Sequence, residues 1–259
     1  MKTKNKFTII ALLLGSILLL PLVSRADTSF TIGNTTADAF LAAGVPSTNF
    51  GGAGTLAIAP ASSPKGELDS VIKFNLGGAV SQFNTTYGTG GWHITGLTLR
   101  LSSNFGTVGA NPPGAFFTPI TSGLFGVDWL GNDSWVEGTG NGNGTAGFPT
   151  NSFVSFNSIP DLFSQGSTSV GTFGYAPPGT GVYTNFSLTL DSSLVTDAMT
   201  GGDVSLYFFA ADNQISYLFN SRTFASGNPQ LVVTAVPEPT VISLGFIAAG
   251  GLLLRRKKL

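Results

Sequence analysis

Val71-Ile72-Lys73-Phe74-Asn75-Leu76 sets Ile72, Phe74 and Leu76 on one face of an extended chain and Lys73 and Asn75 on the other. A period of two is the mark of a strand with one buried face. The same alternation returns in Leu97-Thr98-Leu99-Arg100-Leu101, in Phe186-Ser187-Leu188-Thr189-Leu190 and in Val204-Ser205-Leu206-Tyr207-Phe208-Phe209. Shorter candidates are Phe30 to Ile32, Ala39 to Leu41, Thr55 to Ala59, Leu124 to Trp129, Phe153 to Phe156, Val170 to Tyr175, Ile215 to Phe219 and Leu231 to Thr234. Clusters of Gly, Asn, Pro and Ser separate nearly all of them, as turns do. Only Asp191 to Thr200 has helical character: Asp191 or a neighbouring Ser can cap it, Leu194, Val195 and Ala198 can face inward, and Gly201-Gly202 stops it. Roughly ten to twelve strands and one short helix predict an all-β fold, an antiparallel two-sheet β-sandwich of jelly-roll type. No period of about 20 to 50 residues repeats, which argues against a solenoid or propeller.

The two ends follow a different pattern. Lys2, Lys4 and Lys6 precede an apolar run from Phe7 to Val23, and Ser24-Arg25-Ala26 places small residues at the minus-three and minus-one positions before Asp27. This predicts a signal peptide over residues 1–26, cut between Ala26 and Asp27. An uncleaved anchor is the alternative, since the run approaches the roughly 17 to 25 residues of a span; Pro21 and the Ser-x-Ala site favour cleavage. The last segment, residues 236–259, reads Val236-Pro237-Glu238-Pro239, an apolar run from Thr240 to Leu254, then Arg255-Arg256-Lys257-Lys258-Leu259. The run is short for a span, but cations directly after an apolar helix stay on the cytoplasmic side. One short C-terminal transmembrane helix is therefore expected, with the body, residues 27–235, outside the cytoplasm.

The order of that tail, a Pro-Glu-Pro turn, a short apolar helix and a basic cluster, resembles the PEP-CTERM sorting signal of Gram-negative bacteria. The resemblance implies an exosortase-type protease as partner, cutting near Pro237, Glu238 and Pro239, with Arg255 and Arg256 in the basic element of the anchor. It also implies retention in the inner membrane before processing, and then a place at the cell surface or in the extracellular matrix.

Charge divides the chain in the same way. Of the 12 Lys and Arg, only Lys65, Lys73, Arg100 and Arg222 lie between residues 27 and 236, whereas 12 of the 13 acids do. The body carries a formal charge of −8, hidden in a whole-chain value of −1. Such a surface has no footprint for phosphate backbones, so nucleic acid is not an expected partner. There are no cysteines, which excludes disulfides and thiolate metal sites and leaves the fold to its core.

Within the body, Asp38-Ala39-Phe40, Pro46-Ser47-Thr48-Asn49-Phe50-Gly51, Leu68 to Leu76, and Ile94-Thr95-Gly96-Leu97-Thr98-Leu99-Arg100-Leu101 follow one another. Trp135-Val136-Glu137-Gly138 comes next, and then Phe219-Asn220-Ser221-Arg222 leading to Pro229-Gln230-Leu231-Val232-Val233. In this order the landmarks resemble DNRLRE-type jelly-roll domains. The resemblance implies a carbohydrate-binding-module-like sandwich of exported bacterial proteins, some of which bind acidic polysaccharides. The chain departs from the pattern at Thr223, where relatives tend to have an acid, and in a long Pro- and Gly-rich insertion from Gly106 to Thr118.

Asn49-Phe50-Gly51-Gly52 suits a turn in which Gly takes positive φ, Asn bonds nearby backbone and Phe50 packs beneath. Arg100 and Arg222 can each pair with an acid of the body. Arg is also the best side chain for bidentate recognition of a carboxylate, which makes both candidates for an acidic sugar. Asp128-Trp129-Leu130-Gly131-Asn132-Asp133-Ser134-Trp135-Val136-Glu137 is the densest chemistry, with three carboxylates and two of the three Trp residues. Four readings stay open. Trp129 and Trp135 can be core residues with the acids in solvated turns. Either can instead be a platform for a sugar, with Asn132 and the acids Asp128, Asp133 and Glu137 bonding its hydroxyls. Asp128 and Asp133 suit a structural calcium ion by ligand type, although Leu130 and Thr139 break the EF-hand spacing. A lyase or hydrolase would use Asp128, Asp133 or Glu137 as an acid/base pair. His93 is the only histidine, with neither Cys nor a second His to complete a zinc set and no Gly-x-Ser-x-Gly elbow to make it a triad base. Sequons such as Asn34-Thr35-Thr36 and Asn132-Asp133-Ser134 are read as Asn/Thr-rich surface. The sequence thus favours an exported, non-catalytic envelope or matrix protein without a required cofactor, binding or organising extracellular polysaccharide, over a polysaccharide-active enzyme.

Overall fold

The structure, a computed structural model, describes residues 26–32, 35–64, 66–103, 123–140, 153–174 and 182–238. The expected signal segment up to Arg25, the insertion from Gly106 to Thr118, and the tail from Pro239 onward, with the 240–254 helix, Arg255 and Arg256, lie outside them. Among the described residues no helix is long and apolar enough to cross a membrane.

Eleven described strands form an antiparallel, β-sandwich-like all-β fold: β1 (Thr28–Ile32), β2 (Thr35–Ala42), β3 (Thr55–Ile58), β4 (Leu68–Asn75), β5 (Trp92–Ser102), β6 (Leu124–Leu130), β7 (Ser167–Gly174), β8 (Tyr183–Ser187), β9 (Asp203–Ala210), β10 (Tyr217–Asn220) and β11 (Gln230–Pro237). One sheet has the order β1-β11-β5-β8, a second β2-β4-β9-β6-β7, and β10 pairs with β3 in a short ribbon. Ile72 and Phe74 of β4 and Leu206 and Phe208 of β9 meet Leu97, Leu99 and Leu101 of β5 and Leu231 and Val233 of β11 in one core. The alternation in the sequence therefore marks the inner face, as expected. In β5 the inward phase changes from Trp92 and Ile94 to Leu97, Leu99 and Leu101. A bulge makes the change: Thr234 pairs with Gly96 and Ala235 with Ile94, which leaves Thr95 as the extra residue.

Two helices close one end of the sandwich. α1 (Gly77–Tyr87) joins β4 to β5, and α3 (Ser192–Thr200) joins β8 to β9, where Leu76 N–H donates to the Gly202 carbonyl at 2.9 Å. α3 has the predicted ends: Asp191 Oδ1 accepts from Ser193 N–H at 2.8 Å, and Gly201 takes φ 74°. α1 corrects the expectation of a single helix. Its sequence, two glycines first and Asn-Thr-Thr near its end, has poor intrinsic propensity. It is helical because Ala79 and Phe83, one turn apart, are buried on the same core.

Phe153 to Phe156 is not a strand. Val154 N–H donates to the Val136 carbonyl at 2.8 Å. Ser155 and Ser158 then form a capping box that opens a 3-10 turn, followed by α2 (Ile159–Leu162) with Pro160 in its first turn. Together with Gly131–Gly140 this stretch lies over the outer face of the five-stranded sheet, where Trp135, Val154 and Leu162 pack on Ala37, Ala39, Leu41, Val71 and Tyr207. β4 is consequently buried on both faces, Lys73 included.

The chain ends of the body lie together at the helical end. Thr28 pairs with Ala235, and the Tyr87 hydroxyl donates toward Thr28 Oγ1 at 2.6 Å and the Ala26 carbonyl at 2.9 Å. β11 runs two residues past the expected boundary at 235: Val236 pairs with His93 and Pro237 with Trp92, and Glu238 N–H donates to the Gly91 carbonyl at 2.8 Å.

Candidate functional site

The dense segment from Asp128 to Glu137 leaves β6 and folds back on the sheet. Trp135 is 8% exposed, its indole N–H donating to Ser205 Oγ at 2.9 Å and its ring lying 4.5 Å beneath the Lys73 ammonium. Lys73 Nζ donates to the carbonyls of Asp133 (2.5 Å) and Trp135 (2.9 Å), and burial lowers its pKa. Ser205 Oγ donates to Asp133 Oδ1 at 2.6 Å; burial pushes that carboxyl up to about 6. Asn132 is buried, with Oδ1 accepting from Ser134 N–H at 3.0 Å and Nδ2 donating to the Asp161 carbonyl at 2.7 Å. Trp135 therefore holds the cover on the sheet and Asn132 ties its two stretches together, and the core-and-turn reading describes them; neither offers a free face to a sugar.

Glu137 is buried too, and Arg222 explains how. The guanidinium grips both carboxylate oxygens, Nε at 2.8 and 2.9 Å and Nη2 on Oε2 as well, which raises the Arg222 pKa. Arg222 N–H donates to Asp38 Oδ2 at 2.7 Å. Asp38 is 1% exposed, and burial, reinforced by Glu137, pushes its carboxyl up to about 7. Asn49 completes the joint: its Nδ2 donates to the carbonyls of Glu137 (2.5 Å) and Val154 (2.8 Å), and its Oδ1 accepts from Gly140 N–H (2.9 Å) and Gly51 N–H (3.3 Å). Neither Gly51 nor Gly52 has positive φ, contrary to expectation. Gly51 is needed for space, since a Cβ there would stand 2.6 Å from Glu137 Cγ. The bond from Asn49 to Gly51 is the predicted local one; the other three reach across the chain.

Asp128 lies on the outer face of β6 opposite Tyr207, and burial raises its pKa. Asp128, Asp133 and Glu137 thus belong to three separate hydrogen-bonding environments. Among the described residues no group of three His, Cys, Asp or Glu could hold a metal ion. His93 faces outward on β5, 3.1 Å from the Glu238 carboxylate.

Among the described residues, two of the candidates, Trp129 and Arg100, stand on open surfaces. Trp129 lines a shallow groove of about 480 Å³ with Gln165 and the α3 residues Ser192, Ser193, Thr196, Asp197 and Thr200. Its indole N–H donates to Asp197 Oδ2 at 2.8 Å. The other is the outer face of the four-stranded sheet, where Ser29, Thr31, Thr98, Thr234 and Ser187 are exposed or partly exposed. Arg100 stands there with its guanidinium 4.6 Å over the Tyr183 ring, Nε donating to Asn185 Oδ1 (3.1 Å) and Nη1 to Gln230 Oε1 (2.7 Å). Arg222 is neutralised by Glu137 and Lys73 is buried. Arg100 is therefore the one partly exposed body cation, among the described residues, without a carboxylate partner. Its candidacy was legible as an outward Arg on a patterned strand; Tyr183 and Gln230, brought in from β8 and β11, were not. No family model matches the chain, and no curated protein matches it.

Proposed function

We propose that this chain is an exported, non-catalytic envelope or extracellular-matrix protein, sorted through its PEP-CTERM-like tail, whose jelly-roll body binds or organises exopolysaccharide. The observation that carries the reading is the Arg100 platform. A guanidinium stacked on a phenol ring, braced by two amides and left without an acid, sits in a flat field of hydroxyls on a body of formal charge −8. Cation–π stacking preorganises the fork, and its remaining N–H groups suit the carboxylate of an acidic sugar. The pairing of Thr28 with Ala235 adds support, because an anchor at either end would hold the body by the helical end. The ligand face would then stand along the side of the sandwich.

The purified protein should be retarded in affinity gels containing an acidic polysaccharide and pass unhindered through a neutral one. Arg100→Ala should weaken retention by about tenfold or more, the loss of a charge-assisted hydrogen-bond pair, without a change in melting temperature beyond a few degrees. Reducing-sugar and unsaturated-product assays run alongside should show no turnover. Turnover abolished by Glu137→Gln in a folded protein would replace this reading with a lyase or hydrolase. Equal retention of wild type and Arg100→Ala would remove the platform from it.

A further inference from the structure

The seam between the cover, Gly131–Gly140 and Phe153–Phe163, and the outer face of the five-stranded sheet is unbalanced in charge. Among the described residues Asp69, Asp133 and Glu137 lie in it, Asp128 stands on the same face of the sheet, and Asp38, on the opposite face of β2, abuts Glu137 at its rim, against Lys73 and Arg222. With every group ionised these residues hold three negative charges in excess, and protons taken up reduce the imbalance. Asp38 and Asp69 are placed to carry those protons. Each is 1% exposed, and each has an Oδ1 with no hydrogen-bond partner. Asp69 accepts the Tyr207 hydroxyl on Oδ2 at 2.6 Å, and the Phe163 ring of the cover meets the Tyr207 ring edge-on, centroids 5.0 Å apart. Asp38 abuts the Arg222–Glu137 pair at the other edge of the cover.

The groups facing these carboxyls do not supply the missing cations. Glu67 faces Asp69, Asp128 faces Tyr207, Glu137 and Arg222 face Asp38, and Asp197 and Asp203 stand toward Asp133 beside Lys73. Arg222 is already spent on Glu137, and Lys73 on two backbone carbonyls.

We propose that the cover is locked by protons: with Asp38 and Asp69 protonated it stays docked, and their ionisation releases it from the sheet and uncovers the Ala37, Ala39, Leu41 and Val71 strip. Burial pushes both carboxyls up to about 7 from an ordinary 3.8. The docked state therefore binds protons more tightly than the released one. Its advantage is complete below about pH 4, declines as pH rises to about 7, and is constant above.

Hydrogen exchange of the full chain at pH 5 and pH 8, corrected for the intrinsic rate, tests this. Amides of the cover should lose about tenfold or more of their protection at pH 8, while those of the core strands β4 and β9 keep theirs. The Asp38→Asn, Asp69→Asn double variant, which keeps an acceptor for Tyr207, should lose most of the pH dependence of the cover, leaving the part that Asp133 contributes. If that variant fails to fold, the wild-type series still decides, with limited proteolysis across the same pH range as a second readout. Protection that is independent of pH, or that falls in cover and core strands together, overturns the proposal.

Discussion

Phe125→Ala should cost about 3 to 5 kcal/mol, the range for emptying a buried aromatic site that cannot collapse. The side chain is fully buried, and its ring meets those of Phe186 at 5.2 Å, edge on, Phe219 at 5.6 Å, Phe173 at 5.7 Å and Phe208 at 6.4 Å. Those partners come from β8, β10, β7 and β9, so one side chain joins both sheets and the β3–β10 ribbon. Rings held at fixed backbone positions close a vacancy poorly, which places the loss at the upper part of that range. A domain of this size is stable by about 5 to 15 kcal/mol in all. The urea midpoint should fall by on the order of 1 to 2 M with little change in slope. A shift worth less than about 1 kcal/mol would mean that the aromatic cluster is not the centre of the core.

Asn49→Ala should be nearly as damaging, at about 3 to 4 kcal/mol, although it removes no apolar contact. The amide of Asn49 uses both of its protons and accepts two, on the backbone of Glu137, Val154, Gly140 and Gly51, all of them buried residues. Truncation leaves those groups in the interior with nothing to replace them, and each orphaned group costs about 1 to 3 kcal/mol, part of which admitted water restores. Asn49→Asp should do no better, since a carboxylate would then face two carbonyl oxygens. Thermal melts report the global loss, and exchange of the Gly138 to Gly140 amides should rise before that of β4. Full stability in Asn49→Ala would show that the cover needs no staple.

The inner face of each sheet was legible because burial on one side of a strand writes itself as alternation. Ile72, Phe74, Leu97, Leu99 and Leu101 declare the core without any knowledge of what they meet. α3 was legible for a similar reason: Asp191 and Gly201 are local solutions to unsatisfied helix ends. α1 was not, because its helicity derives from Ala79 and Phe83 docking on a core built by distant strands. The outer face of β4 misled in an instructive way. Lys73 and Asn75 read as solvent-facing, yet Lys73 is buried, since two backbone carbonyls of the cover take its protons. Trp135 and Glu137 looked like chemistry because of their density in sequence, whereas Ser205 and Arg222, more than 60 residues away, commit both to structure.

By itself the sequence determined the fold class, the inward residues, the acidic body and the unlike character of its two ends, all properties set by neighbouring residues or by simple composition. Tertiary structure decided which polar groups are spent and which stand free. Arg222 meets an acid and Arg100 does not; Asn49 spans three segments; Asp69 is enclosed without a cation, and Asp38 beside one that Glu137 already holds. A hydrogen bond or ion pair depends on the position of two groups to within a few tenths of an ångström, and partners 60 to 184 residues apart acquire that relation only when the sheets have closed.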